Sequence, residues 1–379
     1  MLKKVLVWGL GLSLAVLVTG CSSKEDLLNA SKMGDVNKVV QCLSDKIDVN
    51  SVDANGATSL LLATENNREQ VVKVLIEKGA NINASNKVDG NTPLHIAVMN
   101  SELAIIKKLV QNGALLDVKN NKNETAFTIK DKDGNTIFNQ VAATNDIELT
   151  QQLVDKMPPM TSSEKSEDHP MTIQNNQGNT PLHTALLQNQ KAIGKVFIDK
   201  GVNINFKNVK GEDAIITANG QKMPDILSYL YLKNGDLDNT IINAELALKT
   251  DANNVDVLYN FASALQLKGE KFSKDGALAD AKKLYQQSID NFTKVLALQP
   301  NFKNSIQKKD QCDEKLKNIE IQLKKQEEDR QKAEAARKAK EVAASQQNST
   351  SNTNDAGNGY YDYSGLRDAI IDTMMRPRW

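Results

Sequence analysis

Histidine and cysteine are the residue types of this chain that could carry catalysis or bind a metal, and the sequence holds three of each. His95 and His183 both follow the tripeptide Thr-Pro-Leu, so they are copies of one position in a repeated motif. A catalytic or metal-binding histidine needs suitable partners, and the sequence shows no nucleophile elbow, phosphate-binding loop or metal-spaced cluster. We therefore predict a structural role for both histidines, no metal, no cofactor and no enzymatic activity.

The motif around these histidines predicts a tight turn that leads into a helix. It occupies residues 89–97 and again 177–185, and weaker copies stand at 55–61 and 133–138. Glycine after a polar residue favours a turn, and threonine caps the helix that follows. Proline is tolerated at the first helical position because its missing N–H group would have no partner there. Each copy is therefore a turn-and-helix unit.

A second helix follows the motif at a constant offset. Its copies at 71–79, 105–113 and 193–201 are apolar on one face and end in glycine. Such a glycine supplies the left-handed conformation that ends a helix. Thr58 and Thr92, which begin successive units, are 34 positions apart, close to the roughly 33-residue period of one known repeat.

By these motifs, residues 21–218 resemble the ankyrin repeat family, with a polar capping unit at 25–52. The resemblance implies an all-α solenoid whose neighbouring repeats bury each other's apolar faces, and motif histidines that brace adjacent turns by hydrogen bonds. It also implies protein partners on the concave surface of turns and inner helices. The candidate partner-binding residues are then the variable turn positions: Asn55, Ala57, Asp89, Asn91, Asp133, Asn135, Asn179 and Glu212.

Residues 1–20 carry two lysines and an apolar run from Val5 to Val18, which is shorter than a typical membrane span of about 20 residues. The run ends in Val-Thr-Gly before Cys21, which resembles the lipobox of bacterial lipoproteins. That resemblance implies a signal peptide cut before Cys21 and acyl chains on Cys21. With Ser22 next, it implies an exported envelope lipoprotein in the outer membrane, facing the periplasm. A bare membrane anchor is the alternative.

The other two cysteines, Cys42 and Cys312, lie far apart in the sequence, and we expect two buried thiols rather than a disulfide between them. The charge is balanced, with 47 basic and 47 acidic residues. A neutral chain gives no reason to expect nucleic acid as a partner.

The repeat register is disturbed between residues 121 and 157, because Thr125 and Thr136 are both candidate helix caps. We favour Thr136 as the true start of the repeat. The segment 158–172 then reads as an inserted loop, and its stretch from Thr161 to Met171 is polar enough to predict full exposure. It contains His169, with no His or Cys near it in sequence that could complete a metal site.

Residues 221–302 resemble the tetratricopeptide repeat, in which large and small residues interlock two antiparallel helices. The matching positions lie around two glycines, Gly235 and Gly269, which are 34 positions apart. Between Gly269 and Ser288 the chain is longer than this pattern allows, so we expect an extended or interrupted hairpin there. An irregular helical hairpin is the alternative.

Residues 303–345 are dense in charged helix formers and predict a solvated single helix, supported by pairs spaced by four such as Glu334 and Lys338. A flexible linker follows at 346–358. The segment 359–379 then concentrates aromatic and apolar residues that could bind a partner or the chain's own repeats. These are Tyr360, Tyr361, Tyr363, Leu366, Ile370, Met374 and Trp379.

Three functions are compatible with these patterns. The first is an envelope-anchored scaffold or adaptor that binds other proteins through its repeats. The second is an immunity or inhibitor lipoprotein that neutralises one toxin or enzyme. The third is an enzyme of unrecognised type. An adaptor should retain several partners and an immunity protein one, and the sequence does not choose between them.

Overall fold

The computed structural model describes residues 21–157 and 169–351, with side chains described up to residue 345. Every regular element in this part of the chain is an α-helix, which confirms the predicted all-α class. The helices are α1 (Lys24–Met33), α2 (Val36–Ser44), α3 (Ser59–Glu65), α4 (Glu69–Glu77), α5 (Pro93–Met99), α6 (Leu103–Gln111), α7 (Ile137–Ala142), α8 (Ile147–Asp155), α9 (Pro181–Leu187), α10 (Lys191–Asp199), α11 (Ala214–Gly220), α12 (Pro224–Asn234), α13 (Leu237–Thr250), α14 (Val255–Lys274), α15 (Leu278–Leu298) and α16 (Ser305–Ser351).

The described part of the chain divides into two compact units, one formed by residues between 21 and 265 with 291–305 and the other by 266–290 with 306–351. Among the helices described in them, none has the length and apolar character to cross a membrane.

The predicted caps form the ends of the repeat helices. Thr92 accepts a hydrogen bond from the His95 N–H at the start of α5, and Thr180 does the same at the start of α9. Asp213 replaces threonine in the last copy and caps α11 through the Ile216 N–H. The predicted closing glycines also adopt positive φ angles, at 83° for Gly79, 87° for Gly113 and 80° for Gly201. Local sequence therefore fixes where these helices begin and end.

The helices form an inner and an outer row. In the outer row α2 packs on α4, α4 on α6, α6 on α8 and α8 on α10 without interruption. The inner row falls into two runs, α1 with α3 and α5, and α7 with α9 and α11. One core of buried side chains extends through both runs, and it includes the stacked rings of Phe127 and Phe138, whose centroids lie 5.6 Å apart.

The division of the inner row explains the disturbed register after residue 120. The turn 120–124 occupies the place expected for a third repeat, but the helix after Thr125 is a single turn closed by the bond from the Ile129 N–H to the Thr125 carbonyl. A second turn follows at 131–135, and α7 begins after Thr136. The prediction that the repeat helix starts at Thr136 is confirmed. The sequence did not show that both candidate starts are used.

The end of the inserted segment corrects the predicted exposure. Residues 158–168 of the expected loop 158–172 lie outside the described residues, but His169, Met171 and Thr172 are buried. Met171 belongs to the core, and the His169 carbonyl accepts bonds from both the Thr172 N–H and its hydroxyl. This end of the segment is therefore packed against the repeats and not fully exposed.

Helix α12 packs on α11 and forms a hairpin with α13. The glycines that the second repeat pattern aligns differ in structure. Gly235 ends α12 at a φ of 79°, whereas Gly269 lies inside α14 and faces the ring of Tyr285. Helix α14 continues to Lys274 before the turn into α15, so the hairpin is extended and not interrupted.

In the second unit, α16 packs through Cys312 and Ile319, which are buried. Its residues from 324 to 345 are all exposed. Over this stretch the side chains pair along the helix, as in the predicted Lys338–Glu334 pair at 3.0 Å, while Lys332 lies 3.9 Å from Asp329. Exposure on all sides is what the prediction of a solvated single helix requires.

Candidate functional site: two stacks of turns

Six polar turns share one internal geometry. Each begins with an asparagine or aspartate whose side-chain oxygen accepts backbone N–H groups further along the same turn. In the turn 120–124, for example, Asn120 Oδ1 accepts from Lys122 at 3.0 Å and Glu124 at 2.9 Å. The first residues of the six turns are Asp53, Asn86, Asn120, Asp131, Asn175 and Asn208. Satisfied in this way, each turn is rigid before any partner arrives.

Backbone hydrogen bonds join these turns into two stacks of three. In turn stack A, which comprises 53–57, 86–91 and 120–124, the N–H of Lys87 donates to Asn55 and that of Asn121 to Asp89, both at 2.9 Å. In turn stack B, which comprises 131–135, 175–179 and 208–212, the N–H of Asn176 donates to Asp133 at 3.0 Å and that of Val209 to Gln177 at 3.1 Å. The candidate surface therefore consists of two stacks of turns, each joined by a short ladder of backbone hydrogen bonds.

Side chains from the inner helices brace the stacks. His95 Nε2 donates to the Glu124 carbonyl at 3.1 Å, and His183 Nε2 donates to the Glu212 carbonyl at 3.0 Å. Their Nδ1 atoms each lie 2.8 Å from the hydroxyl oxygen of the capping threonine. The predicted bracing role of both histidines is thus present in the structure.

The hydrogen bonds also fix the chemical state of both histidines. A carbonyl oxygen only accepts, so Nε2 must carry the proton, and Nδ1 is left to accept from the threonine hydroxyl. Burial lowers the pKa of His95 and of His183, which keeps the rings neutral. A neutral ring with both nitrogens engaged by the scaffold is poorly suited to proton transfer.

Asn139 performs the same task in α7, and sequence inspection missed it. Its Oδ1 accepts from the Thr136 hydroxyl at 2.9 Å and from the Thr136 N–H at 3.2 Å, and its Nδ2 donates to the Asn179 carbonyl at 3.1 Å. The available signal was positional, because Asn139 follows Thr136 by three residues as each histidine follows its threonine.

Two of the predicted partner-binding residues belong to the scaffold. Asn91 and Asn179 are buried, and their side-chain oxygens accept bonds from Asn120 at 2.9 Å and Asn208 at 3.2 Å. A partner cannot reach side chains in this position, so the interface prediction is corrected for both. The cause is the stacking of the next turn over each asparagine, which a single motif does not reveal.

The other predicted residues lie at or near the surface of the stacks. Asn55 and Asp133 are exposed, and Ala57, Asp89, Asn135 and Glu212 are half-buried. The structure adds exposed neighbours to them: Lys87, Val88, Asn121, Lys122, Asn176, Val209 and Lys210. Val88 and Val209 are the most unusual of these, because apolar side chains that are 69% and 73% exposed at turn tips have no role in the core.

A polar cluster lies where turn stack B begins. Asp131 Oδ2 accepts from the Ser101 hydroxyl at 2.7 Å and from Gln140 Nε2 at 3.3 Å, and Gln140 Nε2 also donates to the Val98 carbonyl. Burial alone would raise the pKa of Asp131, but the hydrogen bonds from Ser101 and Asn135 outweigh it and lower the pKa. The cluster joins the start of stack B to the end of α5.

Glu102, at the start of α6, is the most perturbed acid of the described residues. Its Oε2 is buried without a hydrogen-bond partner, while Oε1 accepts from Asn100 at 3.3 Å. Burial raises the pKa of Glu102 to about 7, and the bond from Asn100 opposes the rise. An isolated acid of this kind could exchange a proton near neutrality, but no group of His, Cys, Asp and Glu in the described ranges could hold a metal ion.

The structure joins Cys21 to Cys42 by a disulfide and leaves Cys312 as a buried thiol, 3.4 Å from the Ser288 hydroxyl oxygen. The expectation for Cys312 is met, and the expectation of a free thiol at Cys42 is wrong. Cys21 lies against α2, where Val39 and Cys42 are the buried residues, and belongs to the same core. The predicted terminal peptide, 359–379, and residues 352–358 of the predicted flexible linker, 346–358, lie outside the described residues, whereas residues 346–351 of that linker are helical and continue α16, which corrects the predicted start of the linker.

Comparison with protein families agrees with this architecture. A family model described as ankyrin repeats (3 copies) matches residues 27–122, 115–208 and 141–243, which together span more than half of the chain. The Escherichia coli (strain K12) protein YahD, named as an ankyrin repeat protein, is 40% identical over 58 residues, or 15% of this chain and 29% of that protein. A chain from the complex of a predatory endopeptidase of Bdellovibrio bacteriovorus with an immunity protein is 26% identical, with a TM-score of 0.36 over 53% of this chain and 94% of that chain.

Proposed function

Because the chain belongs to the ankyrin repeat family, we propose that it is a protein-binding scaffold of the cell envelope, anchored through acyl chains on Cys21. Ankyrin repeats serve protein–protein interaction, and the envelope location and the anchor are the further steps of the proposal. One observation carries the binding role: the motif residues are buried and hydrogen-bonded to one another, while the variable residues of the turn tips are exposed.

The two turn stacks are the part of the surface best suited to hold a partner. Their backbone groups are already satisfied by Asx-type bonds and by the ladder, so binding orders little that was mobile before. The exposed tips combine amide, lysine and valine side chains. Such a mixture of apolar and polar groups is typical of protein interfaces and not of a nucleic-acid surface, which would be strongly basic.

The proposed anchor rests on the residues before Cys21. In the lipoprotein reading, residues 1–20 are removed and acyl chains on Cys21 hold the mature chain at the outer membrane, facing the periplasm. Two or three acyl chains suffice for stable anchoring. Helix α1 starts at Lys24, so the repeats would begin within a few residues of the lipid surface.

Two further parts of the chain contribute to the proposal. The hairpins from α12 to α15 would serve as a tetratricopeptide-like extension of the array. The segment 359–379 would bind a partner or fold back on the repeats, and its distance from them would be set by the exposed part of α16 and the linker after it. Residues 324–345 alone give a rod of roughly 30 Å at about 1.5 Å per residue.

Photo-crosslinking in the native cell tests the binding surface. A photoreactive amino acid is placed at Asn55, Lys122 or Asp133 on the stacks, and at Lys73 on the outer helix α4 as the matched control. We expect cross-linked partners from the stack positions and none from Lys73. Equal yields of cross-linked partners from all four positions would show that the binding surface lies elsewhere.

Mass spectrometry of the cross-linked products distinguishes the functional alternatives. An adaptor gives several partners, whereas an immunity or inhibitor protein gives one at high occupancy. The anchor is tested separately by Cys21→Ala, which we expect to release the chain from the membrane fraction or to leave the uncleaved precursor. A mature, membrane-bound Cys21→Ala chain would contradict acylation at this residue.

A further inference from the structure

The N-terminal residues of the described chain are attached to the capping unit at three points. The sulfur atoms of Cys21 and Cys42 are bonded, and the Cα atoms of the two residues lie 4.7 Å apart. The Cys21 backbone nitrogen donates to Asp45 Oδ2 at 3.0 Å, and the Ser22 nitrogen donates to Asp26 Oδ2 at 2.9 Å. Cleavage before Cys21 would turn its nitrogen into an ammonium group beside the Asp45 carboxylate, which strengthens that contact.

This attachment places the Cys21 sulfur in a buried position, where it cannot carry an acyl chain. Cys21 is 8% exposed and belongs to the core of the repeats, and Cys42 is fully buried. A sulfur that carries a diacylglyceryl group must instead reach the membrane surface. Residues 21–23 therefore have two incompatible positions, one docked on α2 and one extended towards lipid.

We propose that the Cys21–Cys42 disulfide is an alternative end product of maturation, which gives a mature chain that is not acylated and is released from the membrane. The inference rests on the proposed anchor at Cys21 and adds to it a second fate for the same sulfur. Docking of the N-terminus through Asp45 favours this fate, because it holds Cys21 beside Cys42.

The chemistry of the two fates is mutually exclusive. In acylation the Cys21 thiol loses its proton, its sulfur forms a C–S bond to a glycerol carbon of a diacylglyceryl phospholipid, and the phosphate-bearing headgroup leaves with the electrons of the broken C–O bond. In oxidation Cys21 and Cys42 lose two protons and two electrons to a disulfide-bearing oxidant of the envelope, which becomes a dithiol. In this fate a signal peptidase of the envelope hydrolyses the peptide bond before Cys21 with one water molecule, which releases residues 1–20. The sulfur of a thioether is bonded to two carbons and has no thiol proton to lose, so it cannot form a disulfide, and the first reaction decides the outcome.

Thiol counting on the full chain in its native cell distinguishes the two products. Cells are fractionated, the mature chain is denatured, and free thiols are counted by the mass added with a polyethylene glycol maleimide. With three cysteines in the sequence, the released form should add one label, on Cys312, and the membrane form two, on Cys42 and Cys312. Prior reduction should raise the released form to three labels and leave the membrane form at two.

Variants assign these labels to residues. Cys42→Ala should abolish the released form and move the mature chain into the membrane fraction, where it adds one label, on Cys312, whereas Cys312→Ser, the control, should remove one label from each form and leave the distribution unchanged. Because wild-type counting needs no variant, poor folding of Cys42→Ala would not obscure the result. A released form with three free thiols before reduction, or no mature released form at all, would overturn the proposal.

Failure of the anchor itself is recognisable in the same experiment. If Cys21→Ala leaves the fractionation of the mature chain unchanged, the acylation proposed above is wrong, whatever the thiol count. If Cys21→Ala releases the chain but the wild-type chain never shows the one-label species, the anchor stands and the alternative disulfide does not.

Discussion

Asn139 donates from Nδ2 to the backbone carbonyl of Asn179, 40 positions ahead, and so ties α7 to the second turn of stack B. His95 and His183 make the corresponding bond to a turn 29 positions ahead. The longer separation spans the segment that contains residues 158–168. A short amide thus substitutes for the imidazole at the place where the repeat is most irregular.

We expect Asn139→Ala to destabilise the array by about 1 to 3 kcal/mol, because it removes the bond between repeats to the Asn179 carbonyl, which keeps only the Asn175 N–H, and leaves the Thr136 hydroxyl without its acceptor. Urea unfolding followed by circular dichroism measures the change. Thr144→Ala, which removes a hydroxyl bond within one segment, serves as a milder comparison. Equal losses in the two variants would show that the bond across repeats has no special weight.

Glu102 should make the stability of the array depend on pH. Burial raises its pKa in the folded chain to about 7, from 4.5 in the unfolded chain, so the folded state binds the proton more tightly between these values. The contribution of Glu102 protonation to the stability of the folded state is fully present below about pH 4.5 and is lost as the pH rises through about 7. Glu102→Gln should therefore match the wild type near pH 5 and be more stable at pH 8.

The gain at pH 8 should be about 1 to 2 kcal/mol, a figure reduced for the partial exposure of the side chain. Thermal unfolding of both chains from pH 5 to pH 8.5 measures it. Glu65→Gln, which changes an exposed acid at the end of α3, controls for net charge. Parallel stability curves for Glu102→Gln and the wild type would show that Glu102 ionises normally in the fold.

Gly134→Ala should damage turn stack B specifically. Gly134 has a φ of 78°, and a Cβ there would clash with the Asn176 side-chain oxygen and lie 2.8 Å from the Asn176 backbone nitrogen. Gly211→Ala is the matched control, since Gly211 has the same φ of 78° but open space around it. Both variants lose about 1 kcal/mol to the left-handed backbone, and only Gly134→Ala loses more. Equal effects would mean that the turns can separate without cost.

Gly194→Ala should have the opposite sign. Gly194 lies inside α10, and an added methyl group would find ordinary contacts with Leu182 and Leu186 at 3.8 Å. Alanine loses less backbone entropy than glycine in a helix, so we expect a gain of roughly 1 kcal/mol and a higher melting temperature. A lower melting temperature would show that α9 and α10 pack more closely than these distances indicate.

The sequence predicts the parts of the fold that depend on local chemistry. The threonine caps and the closing glycines are set by residues a few positions apart, so one motif is enough to infer them, whereas the bracing role of His95 reaches a turn 29 positions ahead and was implied by the ankyrin resemblance. The burial of Asn91 depends on a turn 29 positions further on, and the Cys21–Cys42 disulfide on how the capping unit folds back. Such contacts between distant residues leave no local pattern.

The same limit applies to residues 120–136. Sequence offered Thr125 and Thr136 as competing starts, and the structure uses both because a single helical turn after Thr125 lets the buried side chains of Ala126, Phe127 and Ile129 fill the core before the next turn begins. That outcome is decided by side-chain volume inside the array, which the spacing of motifs does not report.

The unbroken outer row and the divided inner row have a consequence for cooperativity. In a solenoid, each repeat is held by its neighbours, and unfolding spreads as far as the coupling between them is strong. Between Asn120 and Asp131 the backbone ladder is missing, so the halves are coupled through α6 and α8, through the ring stack of Phe127 on Phe138 and through the Asp131 cluster. The array can therefore unfold in two parts that separate at this point, so that one half melts while the other half keeps its structure.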